Sequence, residues 1–261
     1  LFRNAIVRAP GSNFADGLTS VEFGTPDVPL ALAQWEQYCA ALQTCGLAIT
    51  HLEADLRYPD STFVEDAAIL TPHAAILTRP GAPSRLGEVE AIAATVRGFY
   101  PEAAEIVAPG TLDGGDICEA GTHFFLGISH RTNAEGARQL TAHLATQGYT
   151  ASQVDVRAMT SILHLKSGIS YIGPGKAGES TLVVIEEMAD RPEFAGYDLL
   201  RVAEEESYGA NCVRVNDRVL VAKGHPMLVE ELVRRGYDPL ELDMSEFRKM
   251  DGGLSCLSLR F

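Results

Sequence analysis

Five times along its 261 residues the chain runs through one succession: helix, strand, a turn of small and polar residues, then a pair of apolar strands. Residues 28–45, VPLALAQWEQYCAALQTC, place Leu32, Trp35, Tyr38, Cys39 and Leu42 on one helical face. Gly46 stops the helix, and LAITHLE reads as a strand. FVEDAAILTPHAAILTRPG (63–81) gives two apolar strands joined by a Thr-Pro turn. The order returns with a helix over about 85–99 (Leu86, Val89, Ile92, Val96), the strand EIVAP, and the turn and strand pair LDGGDICEAGTHFFLG (112–127). A third helix over about 133–147 carries Ala137, Leu140 and Leu144 and leads to SQVDVR, then to HLKSGISYIG and STLVVIEE. A short helix near 186–193 precedes YDLLRVA and ANCVRVNDRVLVAKG, where Asn216-Asp217 signals a hairpin. The last unit is PMLVEELVRRG, LELD and DGGLSCLSLRF.

A spacing of about 45–50 residues signals a propeller or an array. The alternative is an ordinary α/β sheet of irregular order. The last unit lacks its final strand, and NAIVRAP near the N-terminal end is free to supply it and close a ring. The turn residues fall at comparable places: Asp66, Asp116, Lys166, Cys212 and Cys256. In a closed pseudo-symmetric ring these turns point at one axis. Glu65, Asp66, Asp113, Asp116, His164 and Cys256 then meet, and such a polar group is costly to bury without function.

A thiol with an imidazole and a carboxylate suits covalent catalysis: the thiolate attacks, the imidazole shuttles protons, and the carboxylate orients the ring. That set alone also fits a cysteine peptidase. The additional carboxylates favour a planar guanidinium, whose N–H edges they can bind. A bound cation would also favour the thiolate. Arg85 and Arg131 begin the second and third helices, where they can hold a carboxylate at the ring's mouth or simply stand as solvated charges.

Composition narrows the partners. A net charge of −14 argues against nucleic acid and anionic lipid. No apolar run has the length of a membrane span, and no signal-like segment precedes the first strand. Cys39, Cys45, Cys118, Cys212 and Cys256 are scattered with no CxxC pair, which points to free thiols in a reducing cytoplasm. The first four read as packing residues, as do His51, His73, His123, His130, His143 and His225, which stand outside the motifs.

The segments DGLTS (16–20), PDSTFVEDAAIL (59–70), TRPGAPSR (78–85), LDGGDIC (112–118), RTNAEGARQL (131–140), LHLKSGISYIG (163–173), EEESYGANC (204–212) and DGGLSCLSLRF (251–261) run in this order from end to end. On them the chain resembles the dimethylarginine dimethylaminohydrolase family of the guanidine-modifying superfamily. The resemblance implies an α/β fold, a five-bladed propeller of pseudo-symmetric ββαβ repeats closed by the N-terminal strand, and one catalytic domain over 1–261. It implies conversion of N-omega-methylated arginines to citrulline and a methylamine, with no cofactor and no resident metal.

By the same resemblance the nucleophile falls on Cys256, the general acid/base on His164 and the orienting acid on Asp113. Asp66, with Glu65 beside it, would bind the guanidinium; Asp60 and the Leu18 carbonyl would take the α-amino group; Arg85 and Arg131 would take the carboxylate. The main chain at Met250 would line the pocket, and FADGLTSVEFGTPD (14–27) has the character of a lid. Three rivals stay open: an arginine deiminase, though those are longer, an N-omega-hydroxyarginine hydrolase, and a non-catalytic binding protein for arginine-like metabolites. An oligomer is compatible with all of them.

Overall fold

A computed structural model describes residues 1–175 and 178–261. Among these residues the strands form five three-stranded sheets. In chain order the elements begin with β1 (Asn4–Arg8), α1 (Val28–Thr44) and β2 (Ala48–Leu52). There follow β3 (Ala68–Leu70), β4 (Ala75–Leu77), α2 (Glu88–Phe99) and β5 (Ala104–Glu105), then β6 (Ile117–Ala120), β7 (His123–Ile128), α3 (Ala134–Thr146) and β8 (Thr150–Asp155). The single turn α4 (Leu165–Gly168) opens β9 (Ile169–Pro174), β10 (Ser180–Ile185) and β11 (Asp198–Val202). The chain ends with β12 (Val213–Val215), β13 (Arg218–Ala222), α5 (Pro226–Arg234), β14 (Asp238–Leu242), α6 (Ser245–Arg248) and β15 (Leu259–Arg260).

Each sheet has the same pairing. A first strand runs antiparallel to a middle strand, and a third runs parallel to it, as in β6-β7-β8 and β12-β13-β14. The parallel step needs a crossover, and the amphipathic helices supply it in four of the sheets. The closing sheet is β15-β1-β2, so the first strand does complete the last unit, with Ala5 opposite Arg260. Asn216, in the β12-β13 hairpin at φ 54, braces this closure: its amide accepts from the Phe2 N–H and donates to the Phe2 and Cys45 carbonyls.

The middle strands are apolar runs because both of their faces are covered. Phe124, Phe125 and Leu126 of β7, Leu182, Val183 and Val184 of β10, and Val219, Leu220 and Val221 of β13 are all essentially inaccessible. Helix α1 starts on an Asp27 cap that accepts from the Leu30 N–H, and it buries Trp35, Tyr38 and Leu42. Removing a side chain of this kind costs roughly 2–5 kcal/mol.

Some expectations are corrected. The segment near 186–193 is two 3-10 turns, Glu186–Met188 and Pro192–Phe194, because Pro192 interrupts any continuous helix and starts the second turn. Leu32 and Leu86, expected on covered faces, are exposed. Leu86 lies ahead of α2, capping the end of a 3-10 turn over Pro83–Arg85, so the helical periodicity does not extend to it. No helix among the described residues is long and apolar enough to cross a membrane.

Candidate active site

Every sheet is entered through one tight turn. These are the 3-10 turn Val64–Ala67 before β3, Gly114–Asp116 before β6, α4 before β9, the bend at Asn211 that leads through Cys212 into β12, and Ser255–Leu257 before β15. They meet at the middle of the ring. The Gly-Gly pair in LDGGD follows from that crowding: a Cβ on Gly114 would collide with the Glu65 carbonyl, and one on Gly115 would lie 2.7 Å from His164 Nδ1.

His164 Nε2 lies 3.0 Å from Asp113 Oδ2, and Asp113 is wholly enclosed. Asp113 Oδ1 accepts from the Gly81 N–H, which fixes the carboxylate behind the ring. Burial opposes a charge on His164, but Asp66, Asp116 and Asp113 outweigh it and raise the imidazole to about 9. Asp66 Oδ1 accepts from the Gly115 N–H at 2.8 Å, and its Oδ2 accepts from Arg85 Nη1 at 2.6 Å. Burial would push the Asp66 carboxyl up, yet Arg85 and His164 hold it down at about 2.

Cys256 is half-buried at the end of a hollow it shares with His164. Burial first, then the charges of Glu65 and Asp66, push its thiol up to about 12. The resting sulfur is therefore protonated, and a cation entering between it and those carboxylates offsets the part of the shift that their charges cause.

The hollow has two chambers that meet at Leu163, His164, Asp251, Gly252 and Cys256. Leu18, Asp60, Asp66, Arg85, Arg131 and Met250 surround the smaller one. Glu65 and Lys166 face the larger, of about 230 Å³, whose apolar wall includes Phe23, Ile162 and Ile185. All ten expected residues thus lie in or directly behind one site. Their present partners are specific. Both Asp60 oxygens accept from the Leu18 N–H, at 3.1 and 3.2 Å. Arg85 is gripped by Glu88 through Nε and Nη2, by Asp66 through Nη1, and by the Asp60 and Phe63 carbonyls. Those bonds engage all but one of its N–H groups, on Nη1. Arg131 Nη1 stands 3.8 Å from Asp113 Oδ2.

The segment 18–27 is fastened along the approach to Cys256. The Ser20 N–H donates to Asp251 Oδ2 at 2.5 Å, Thr19 Oγ1 donates to the Lys249 carbonyl at 3.0 Å, and the Asp27 N–H donates to Glu246 Oε2 at 2.6 Å. Arg248 lies over the rings of Phe23 and Tyr208.

Several members of this site escape a reading of the sequence. Glu88 lies outside the recurring segments, and Asn211, Asp251 and Ser255, though inside EEESYGANC and DGGLSCLSLRF, carry no chemical signal of their own there. Asn211 accepts from the Ser255 N–H and donates to the Lys166 carbonyl, so it ties three of the central turns together. Lys166 did carry a signal, a charge at the same turn position as Asp66 and Asp116. Asp66, Asp113 and His164 offer atoms within 4.8 Å of one another, close enough for a cation. The two carboxylates already accept from Arg85, Gly115 and Gly81, and His164 Nε2 pairs with Asp113, so the three side chains are engaged in a charge network.

The architecture defines a class: the five-bladed α/β propellers. The N-terminal domain of a cyanobacterial arginine dihydrolase shares this fold at a TM-score of 0.86 and 18% identity, over 100% of this chain and 98% of that one. No family model matches the chain. Among individual proteins, the N(G),N(G)-dimethylarginine dimethylaminohydrolase of Pseudomonas aeruginosa is 47% identical over 262 residues, covering 100% of both chains. Its namesake in Streptomyces coelicolor is 35% identical over 261 residues, covering 99% of this chain and 96% of the other. A Cys-to-Ser variant of the Pseudomonas aeruginosa enzyme, solved with citrulline, superposes at a TM-score of 0.95 with 46% identity over 100% of both chains. The chain belongs to the dimethylarginine dimethylaminohydrolase family.

Proposed function

We propose that residues 1–261 act as one catalytic unit that hydrolyses N-omega-methylated L-arginine, asymmetric dimethylarginine or monomethylarginine, to L-citrulline and di- or monomethylamine. The observation that carries this reading is the opening of Cys256 and the Asp113-backed His164 onto one acid-lined hollow. The guanidinium enters between Asp66 and the sulfur, and its charge draws the thiol toward thiolate, the thiol proton leaving to solvent. Cys256 Sγ attacks the guanidinium carbon. His164, held protonated at neutral pH by its carboxylates, delivers a proton to the departing amine and leaves an S-linked amidino intermediate. The now neutral imidazole takes a proton from water, which attacks the same carbon and releases citrulline and the thiol. No cofactor or metal takes part in these steps.

Asp60 and the Leu18 carbonyl bind the α-amino group in this reading, the main chain at Met250 lines the pocket, and Arg131 and the remaining Arg85 N–H bind the carboxylate. The five free cysteines support a cytoplasmic setting, and the charge of −14 disfavours a nucleic-acid partner. The test is citrulline release from asymmetric dimethylarginine, arginine and N-omega-hydroxyarginine in parallel. The methylated substrate gives the highest kcat/KM. Equal or faster turnover of arginine overturns the assignment.

A further inference from the structure

We propose that Lys166 is a specificity-determining residue, whose ion pair with Glu65 adapts the site to a guanidinium nitrogen that has lost its hydrogens. The inference rests on the proposed reaction and names what selects the methylated substrate. Lys166 Nζ donates to Glu65 Oε1, and Arg260 Nη2 lies 3.5 Å from the same oxygen. Ser255 Oγ donates to Glu65 Oε2 at 2.7 Å. Glu65 is 4% exposed, so solvent does not fill its remaining positions. A carboxylate offers roughly four lone-pair positions, and three here have claimants.

The consequence follows from counting hydrogens. Arginine brings five guanidinium N–H groups, and each pairs best with an acceptor. A dimethylated nitrogen brings none, and a buried acceptor facing it would be left unsatisfied at a cost. With Lys166 in place, Glu65 has little unmet demand on the side where the larger chamber presents Phe23, Ile162 and Ile185. Methyl groups can lie there without orphaning a carboxylate oxygen. Without the ammonium, Glu65 Oε1 keeps only Arg260 Nη2 at 3.5 Å and gains a vacant acceptor position that rewards an N–H and penalises a methyl.

The experiment separates this inference from the reaction it builds on. In a Cys256→Ser background, where no turnover follows, calorimetry gives the dissociation constants of arginine and asymmetric dimethylarginine with Lys166 intact, with Lys166→Met and with Lys166→Arg. Lys166→Met shifts the ratio of the two constants toward arginine by about tenfold, equivalent to about 1.4 kcal/mol, and Lys166→Arg stays within about twofold of the starting ratio. Equal weakening of both ligands, an unchanged ratio, or a shift as large in Lys166→Arg overturns the inference. Turnover by the unmodified enzyme independently decides the reaction itself.

Discussion

The turns that open the second and third sheets are built alike and behave oppositely. Each carries a buried aspartate on a 3-10 turn, Asp66 before β3 and Asp116 before β6. Asp66 faces the guanidinium of Arg85 and is held down at about 2. Asp116 receives only neutral donors, Ser129 Oγ at 2.6 Å and the Leu165 N–H at 3.0 Å. Burial dominates there, and its carboxyl is raised despite the pull of His164. Pseudo-symmetry thus repeats a backbone position, while the partner supplied by the next stretch of chain sets its charge. One turn becomes a ligand for a cation and the other a brace that holds the His164 turn.

The largest expected effect is on stability. Arg85→Met leaves Asp66 and Glu88 buried without their cation, and urea denaturation should show a loss of about 3–5 kcal/mol. Ser129→Ala removes one neutral donor from Asp116, and the same measurement should show a loss of about 1 kcal/mol. Equal losses would break the comparison.

Activity comes next. Asp66→Asn removes a charged acceptor for the guanidinium, worth about 1.5–3 kcal/mol, so kcat/KM for dimethylarginine should fall about tenfold to a hundredfold. Asp116→Asn keeps an acceptor for the Leu165 N–H, and citrulline assays should find a loss of less than about tenfold. A larger fall for Asp116→Asn would mean that its charge matters more than its bracing.

A pH series sharpens the contrast, because the two groups contribute with opposite sign. An unfolded aspartate titrates near about 3.9. Asp66, depressed to about 2, contributes stability that is present above the unfolded value and lost as pH falls through the folded one. Asp116, raised, contributes stability that is present below the unfolded value and lost as pH rises through the folded one. Unfolding free energy plotted from acid to neutral pH should therefore rise less steeply in Asp66→Asn and more steeply in Asp116→Asn than in the unmodified protein. Slopes that change in the same direction would contradict the assignment.

The smallest effect is on His164. Asp66 contributes more than Asp116 to its elevation to about 9. An NMR titration of the imidazole should place its pKa lower in Asp66→Asn than in Asp116→Asn.

Much of this was readable in the chain. Alternating apolar runs and punctuating glycines locate the sheets, and Asp66, Asp116, Lys166, Cys212 and Cys256 recur where each sheet begins. That recurrence marks the centre of the ring before any coordinate does. What the pattern does not hold is who pairs with whom. Glu88 lies three residues from Arg85 on a turn and helix start, yet its engagement depends on Arg85 facing inward. Glu65 and Lys166 are 101 residues apart, and only the closed ring makes them neighbours. The same holds for Asn211 and Ser255, whose short polar side chains look like ordinary loop chemistry in the sequence. Burial patterns are local and periodic; ionic partnerships across the axis are neither.

The closing sheet has a consequence for connectivity. The Arg3 and Asn4 N–H groups both donate to the Phe261 carbonyl at 2.8 Å, and the Phe261 N–H returns a bond to Asn4. These two stretches are joined as closely as neighbours in any other sheet, so the ring has no mechanical seam where β15 meets β1. A short peptide could bridge them covalently, and the chain could be reopened at the exposed Gly121-Thr122 tip between β6 and β7, far in sequence from every central turn except that of its own sheet. The order in which the five sheets are written along the gene is, for this architecture, interchangeable by rotation: what must be preserved is the circle.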